Sequence, residues 1–116
     1  MTHFYETSYA NVHRGVYELG ERATIALELA REKVRGFVNA PTEREIIFVR
    51  NATEAINLVA ATWGRRNLRS GDTVVLTELE HHANLIPWQL VTAEKDARLE
   101  FIPFDEQGRL DQAVYA

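Results

Sequence analysis

Apolar residues recur at spacings of three and four in the first third of the chain and predict one long helix. The helix is expected at about residues 20–38. Its apolar stripe is Leu19, Ala23, Leu27, Ala30, Val34 and Phe37. Pro41 disfavours helical geometry in the residue before it, so residues 39–41 are expected to end this helix.

Continuous apolar runs beyond this helix predict three strands. They lie at residues 45–49, Thr73–Thr77 and Arg98–Ile102. Runs without polar alternation are typical of strands covered on both faces, as expected for Val74, Val75 and Leu76.

Two further helices separate these strands. The first is expected at about residues 53–63, with Ile56, Val59, Ala60 and Trp63 on one side. The second is expected to carry Pro87 in its first turn and to end near Lys95. Both tryptophans, Trp63 and Trp88, sit at core spacing. Turn signals lie at residues 70–72 and 105–108. The alternation of helices and strands predicts βαβ crossovers and a parallel sheet.

Composition narrows the class of protein. The chain has 116 residues, with 46% hydrophobic and 26% charged, which is typical of one small globular domain without a linker. A net charge of -4 argues against nucleic-acid binding. No apolar stretch approaches the roughly 20 residues that span a bilayer, and no signal peptide begins the chain, so the expected location is the cytoplasm. The absence of cysteine excludes disulfides, thiolate metal sites and a cysteine nucleophile.

Ligands of parallel sheets bind beyond the carboxyl ends of the strands, where two loops are expected at residues 50–52 and 78–84. The first loop leads into a helix, whose N-terminus can hold a phosphate. Thr53 can cap this helix and also donate its hydroxyl to a phosphate oxygen. A plain capped helix with Glu54 in its first turn is the more frequent outcome for such a loop.

The second loop holds two adjacent histidines, His81 and His82. Neighbouring residues on a helix cannot both face one metal ion, and His3 and His13 are distant in sequence, so no metal site is predicted. A histidine at a strand end suits acid–base chemistry or stacking on an aromatic ligand. The alternative is a loop histidine bonded to a nearby carbonyl.

Three runs of sequence resemble signatures of one enzyme family. These runs are NVHRGVYELGERAT (residues 11–24), FVRNATEAINLVA (48–60) and EHHANLIPWQ (80–89). They are similar to segments of group II (SUF-type) cysteine desulfurases and selenocysteine lyases, within the class V aminotransferase family. The resemblance covers nearly the whole chain and stops at about Asp111. It implies an α/β fold, the incomplete large domain of a fold-type I pyridoxal-phosphate (PLP)-dependent transferase. The whole chain, residues 1–116, would then be a single partial domain.

The resemblance also implies roles for individual residues. Ala52 and Thr53 match positions that bind the phosphate of pyridoxal 5'-phosphate. His81 matches the histidine that stacks on the pyridine ring and assists proton transfer. Three residues match positions near the substrate entrance or the dimer interface: His13, Arg14 and Glu54. The family usually has Gly-Thr where this chain has Asn51-Ala52, so a hydroxyl is lost there.

The activity implied for the parent enzyme is conversion of L-cysteine to L-alanine, with transfer of the sulfur for iron–sulfur cluster assembly. The parent would be a homodimer that hands sulfur to an acceptor protein. The family's Schiff-base lysine, its sulfur-accepting cysteine and its small C-terminal domain match nothing in this chain. Lys33 and Lys95, the only lysines, lie on predicted helices and do not suit the Schiff-base role. The chain is therefore expected to be an N-terminal fragment that is inactive alone.

Two alternatives stay open at this stage. The parent could be another class V enzyme, such as a selenocysteine lyase, an epimerase or an aminotransferase-like enzyme. The chain could instead be a non-catalytic α/β module that folds alone or associates with a full-length subunit. Exposed strand edges would then favour association or aggregation.

Overall fold

The protein is described from a computed structural model that covers residues 1–13 and 15–115. These residues fall into two compact units, Met1–Phe48 and Val49–Ala116. Each unit has its own helices, and the sheet belongs to the second.

The first unit is helical. Helix α1 spans Thr2–Thr7 and α2 spans Glu18–Val38, followed by a 3-10 turn at Glu43–Glu45 that packs against α2. Helix α2 ends because Asn39 adopts the left-handed conformation (φ 56°, ψ 37°) and donates its N–H to carbonyls of the last turn. The predicted helix and its end at Val38 are confirmed.

The predicted apolar stripe of α2 is covered only in part. Ala23 is 1% exposed, whereas Phe37 is 91% exposed. The periodicity therefore identifies the helix and its apolar side correctly, but not how much of that side is buried.

The strand predicted at residues 45–49 is absent from the described structure. Glu45 ends the 3-10 turn, and residues 46–49 have no ladder partner among the described residues. The Arg31 guanidinium donates to the Ile46 carbonyl and lies 5.5 Å from the centre of the Phe48 ring. A strand requires a hydrogen-bonded neighbour, and none of the described residues pairs with this segment.

The second unit contains one βαβ motif. Its elements in order are α3 (Ala52–Val59), a π-helical turn (Ala60–Gly64), α4 (Arg65–Asn67), β1 (Thr73–Thr77), α5 (His82–Lys95), β2 (Arg98–Ile102) and α6 (Gln112–Tyr115). Strands β1 and β2 pair in parallel, with Thr73 opposite Arg98 and Thr77 opposite Ile102. Helix α5 makes the crossover and packs on both strands. The parallel pairing and both strand ranges are confirmed, as are the turns that place Gly71 and Gly108 at positive φ.

The core of this unit lies between α5 and the helical segment before β1. Its buried residues are Ala60, Leu68 and Val91, with Val74 and Trp88 packed against them. Gly64 allows the close approach, since a Cβ there would lie 3.3 Å from both the Trp88 ring and the Val91 side chain. The predicted core position of Trp88 is confirmed.

The core face of the helix that begins at Ala52 differs from the prediction. Val59 and Trp63 are 48% and 57% exposed, and Gly64 is buried instead. Ala60 is 1% exposed, as predicted. The π-helical turn at Ala60–Gly64 places an extra residue in one turn, which rotates Trp63 and Gly64 relative to their positions in a regular helix. Val59 precedes this turn, and the turn does not explain its exposure. A pattern read with a period of 3.6 residues misses this shift.

Two further predictions about the βαβ motif are wrong. Pro87 lies inside α5 rather than in its first turn, because the helix already begins at His82. Proline has no N–H, so the Ala83 carbonyl lacks its intrahelical donor. Val75 is 46% exposed while Leu76 is 8% exposed, because β1 is covered mainly on one face.

Candidate functional site

The start of helix α3 is organised by Asn51. Its backbone is extended, and its side-chain oxygen accepts from the Glu54 N–H at 2.9 Å. The Asn51 carbonyl accepts from the Ala55 N–H at 3.1 Å. Asn51 is therefore the N-cap, and the prediction that Thr53 caps the helix is wrong. Asparagine is at least as strong a cap as threonine, and it comes first in the sequence.

Glu54 folds back onto the residue that precedes the cap. Its carboxylate accepts from the Arg50 backbone N–H at 2.7 Å and from the guanidinium at 3.1 Å. The guanidinium, then the backbone N–H, lower the pKa of Glu54 below its ordinary value. The arrangement resembles a capping box and keeps the Glu54 charge paired with Arg50.

These contacts leave two backbone donors at the start of α3 available. The N–H groups of Ala52 and Thr53 lie in the first turn of α3, where no carbonyl of the helix is in position to accept their hydrogen bonds. Within the described part of the chain, no hydrogen bond occupies these N–H groups or the Thr53 hydroxyl. Both residues are exposed. Two N–H groups, a hydroxyl and the positive end of a helix dipole form a donor set that fits a phosphate group.

The start of helix α5 is capped by His81 itself. Ring atom Nδ1 accepts from the Ala83 N–H at 3.1 Å, and the His81 carbonyl accepts from the Asn84 N–H at 2.8 Å. A ring nitrogen that accepts a hydrogen bond carries no proton, so the proton of the neutral ring is on Nε2. The ring is exposed and can stack on a planar ligand.

A chain of side-chain hydrogen bonds lies beside this cap, and the sequence pattern did not predict it. Its members are Thr77, Glu80, Asn84 and Trp88. The Glu80 carboxylate accepts from the Thr77 hydroxyl at 2.8 Å and from the Asn84 amide at 2.8 Å. Asn84 in turn accepts from the Trp88 ring N–H at 3.1 Å. The Asn84 and Thr77 side chains lower the pKa of Glu80. Residues four positions apart can contact each other along a helix, so the spacing of Glu80, Asn84 and Trp88 could have predicted these hydrogen bonds.

Helices α3 and α5 pack against each other within the second unit. The two loops that carry Ala52, Thr53 and His81 therefore lead into neighbouring elements. Helix α3 itself follows no formed strand.

Of the three other predicted site residues, two lie within the described part of the chain. His13 belongs to the first unit, where its backbone has φ 61° and its N–H donates to the Thr24 hydroxyl at 3.0 Å. Its ring Nε2 is 3.3 Å from the Glu28 carboxylate. Arg14 lies outside the described residues. Glu54 pairs with Arg50, as described above.

The described residues include neither a metal-binding cluster nor a membrane-spanning helix. No group of three or more His, Asp or Glu side chains in the described ranges is arranged to hold a metal ion. None of the helices described is both long and apolar enough to cross a membrane.

Comparisons with known proteins give a consistent result. The chain matches the Aminotransferase class-V family over residues 1–115. It is 53% identical over 111 residues to a probable cysteine desulfurase of Synechocystis sp., and 52% identical over 114 residues to a cysteine desulfurase of Synechococcus elongatus. These matches cover 96% and 97% of this chain, but only 26% and 18% of the two relatives.

A solved structure has a similar fold. The apo cysteine desulfurase from Thermococcus onnurineus superposes with a TM-score of 0.86 at 40% identity, over 97% of this chain and 28% of that one. The predicted fold class is therefore confirmed: the chain has the α/β fold of part of a PLP-dependent transferase domain.

Proposed function

The chain belongs to the class-V aminotransferase family, and from this premise we propose that it is the N-terminal part of a group II (SUF-type) cysteine desulfurase. The whole enzyme converts L-cysteine to L-alanine and passes the sulfur to an acceptor protein for iron–sulfur cluster assembly. Similarity to cysteine desulfurases over nearly the full chain supports the reaction. The three sequence signatures support the SUF type. In this proposal residues 1–116 are one part of the large, cofactor-binding domain.

Pyridoxal 5'-phosphate is the proposed cofactor. The N–H groups of Ala52 and Thr53, with the Thr53 hydroxyl, hold its phosphate at the start of α3. The donor set fits the phosphate because no described residue occupies it. When bound, the cofactor supplies the electron sink that stabilises carbanions. Ala52 contributes only its backbone, since it lacks the hydroxyl that many family members have there.

His81 is the proposed catalytic residue. Its exposed ring stacks on the planar cofactor, while Nδ1 stays bonded to the Ala83 N–H. Nε2 is then the atom that exchanges a proton with the reacting group. The same hydrogen bond keeps the ring in one orientation.

The remaining predicted residues and partners complete the proposal. His13, Arg14 and Glu54 lie near the substrate entrance or the interface of a homodimer. The expected location is the cytoplasm. The chain alone is inactive, because neither Lys33 nor Lys95 suits the Schiff-base role and the chain has no cysteine to accept sulfur.

The observation that carries the proposal is the available donor set at Ala52 and Thr53, in a chain that matches part of known cysteine desulfurases over nearly its own full length. A chimera tests it. This chain replaces the matched segment of the Synechocystis relative, and sulfide release from L-cysteine is measured with pyridoxal 5'-phosphate. We expect an active chimera, inactivation by His81→Ala, and no sulfide from the 116-residue chain alone.

Other outcomes would redirect the proposal. A chimera that binds the cofactor but releases no sulfide would contradict the desulfurase assignment and favour another class V reaction. A chimera that acts only on L-selenocysteine would favour a selenocysteine lyase. Catalytic sulfide release by the isolated chain would contradict its predicted inactivity.

A further inference from the structure

The carboxylate of Glu80 joins the end of strand β1 to the first turn of helix α5. One oxygen accepts from the Thr77 hydroxyl and the other from the Asn84 amide, each at 2.8 Å. Thr77 is the last residue of β1, and Asn84 lies in the first turn of α5. Glu80 therefore spans the loop that contains His81.

Asn84 extends this connection in two directions. Its side-chain oxygen accepts from the Trp88 ring N–H at 3.1 Å, and Trp88 packs against the core. Its backbone N–H donates to the His81 carbonyl at 2.8 Å. The position of Asn84 thus determines where the backbone of His81 lies relative to the core.

The neighbouring carboxylate shows that this arrangement is specific to Glu80. Glu78 is exposed, and its side chain has no hydrogen-bond partner among the described residues, whereas Glu80 is half-buried with both oxygens bonded. The two residues are two positions apart in one loop. Glu78 is accordingly a matched control.

We propose that Glu80 is a positioning residue that holds the His81 ring in one orientation, with Nδ1 on the Ala83 N–H and the proton on Nε2. It acts through the Thr77 and Asn84 contacts. The catalytic consequence rests on the proposed function of His81. The geometric claim does not, because it concerns only residues within this loop.

The geometric claim is tested on the 116-residue chain without cofactor. Nitrogen-15 NMR of the imidazole reports which ring nitrogen carries the proton, and amide exchange reports the Ala83 N–H. The intact chain should show the Nε2–H form. Glu80→Ala should accelerate Ala83 exchange about fivefold, which corresponds to the loss of one net hydrogen bond, and mix the two ring forms. Glu78→Ala should change neither.

A pair of substitutions separates positioning from folding. Asn84→Asp places two carboxylates against each other and should disturb His81 as strongly as Glu80→Ala. Adding Glu80→Gln reverses donor and acceptor, since the new amide at position 80 can donate to the new carboxylate at position 84, while the amide oxygen accepts from Thr77. The double variant should restore the Nε2–H form even if Glu80→Ala fails to fold.

Three results would overturn the proposal. They are an Nδ1–H ring in the intact chain, equal effects of the Glu80 and Glu78 substitutions, and a double variant as disturbed as Asn84→Asp alone. In the active chimera, Asn84→Asp should lower kcat/KM about tenfold and the double variant should recover it. If the chimera is inactive but the ring behaves as described, the proposed function fails and the positioning role stands.

Discussion

Two helices of the second unit begin in different ways. Helix α3 is capped by Asn51 and Glu54, which leave the Ala52 and Thr53 N–H groups available. Helix α5 is capped by the His81 ring, so the cap is itself the proposed catalytic side chain. One start leaves its first donors for a ligand, and the other uses a donor to orient a side chain.

This difference shows that the residue type of an N-cap does not by itself reveal whether the helix start can bind a ligand. What matters is which donors remain after the cap has formed. At α3 the cap takes the third N–H of the helix, and at α5 it takes the second. The substitutions below change the start of α3, the start of α5 or the packing against α5.

The largest effect is expected where the π-helical turn that follows α3 packs against α5. Gly64→Leu places a side chain against Trp88 and Val91, and overpacking of this kind costs about 1–3 kcal/mol. Because Trp88 bonds to Asn84, the substitution should disturb the His81 loop more than the Asn51 loop. Urea unfolding and amide shifts measure the two effects.

Gly36→Leu is the matched control for this substitution. A Cβ at Gly36 would meet nothing within 4 Å, so the free energy of unfolding should be unchanged or slightly higher. Equal losses of stability from the two substitutions would contradict the proposed packing.

The second prediction removes one phosphate donor and keeps the helix. Ala52→Pro deletes the first N–H of α3, and proline is favoured at this position of a helix. The extended backbone of Asn51 is compatible with a following proline. In the chimera, the affinity for pyridoxal 5'-phosphate should fall about tenfold, as expected for a lost hydrogen bond to a charged group.

Circular dichroism of the Ala52→Pro variant provides the control. Helix content should match that of the parent chimera. Unchanged cofactor affinity with an intact helix would mean that the Ala52 N–H does not bind the phosphate.

The third prediction separates the two roles of His81. His81→Ala removes both the cap and the ring, and loss of a cap costs about 1 kcal/mol. His81→Asn should restore most of that stability, because asparagine is a strong N-cap, but it should not restore sulfide release by the chimera. Recovery of activity by His81→Asn would contradict a catalytic ring.

The smallest effect is expected at the Arg50–Glu54 pair. Arg50 lowers the pKa of Glu54, so this pair stabilises the fold at neutral pH and its contribution is lost as the pH falls through the folded-state pKa. Arg50→Ala should raise the pKa of Glu54 toward its ordinary value, which an NMR titration of the Glu54 carboxylate measures. An unchanged pKa would show that Arg50 is not its partner.

The sequence predicted regular elements well where local pattern determines them. The long helix, both strands of the βαβ motif and the glycine turns follow from periodicity, apolar runs and turn chemistry. The segment at residues 45–49 failed because strand formation depends on a neighbour, which a local pattern does not encode. The predicted core position of Trp63 failed because this residue lies in a π-helical turn, which a period of 3.6 residues does not anticipate.

The candidate site was predicted unevenly for a similar reason. The donors expected at a helix N-terminus correctly indicated the loop before α3, but Thr53 was predicted as the cap where the structure has Asn51. His81 was selected by family resemblance, and its hydrogen bond to Ala83 depends on where α5 begins. The Glu80–Asn84 contact was missed because a carboxylate next to two histidines looks like an ordinary loop residue until its partners are placed.

The most direct test of the difference between the two helix starts is a titration of the 116-residue chain with inorganic phosphate, followed by amide shifts. We expect saturable shifts at Ala52 and Thr53, with little change at Ala83, whose N–H is already bonded to the His81 ring. Equal shifts at both helix starts, or none at Ala52 and Thr53, would contradict the claim that the α3 start is a phosphate site.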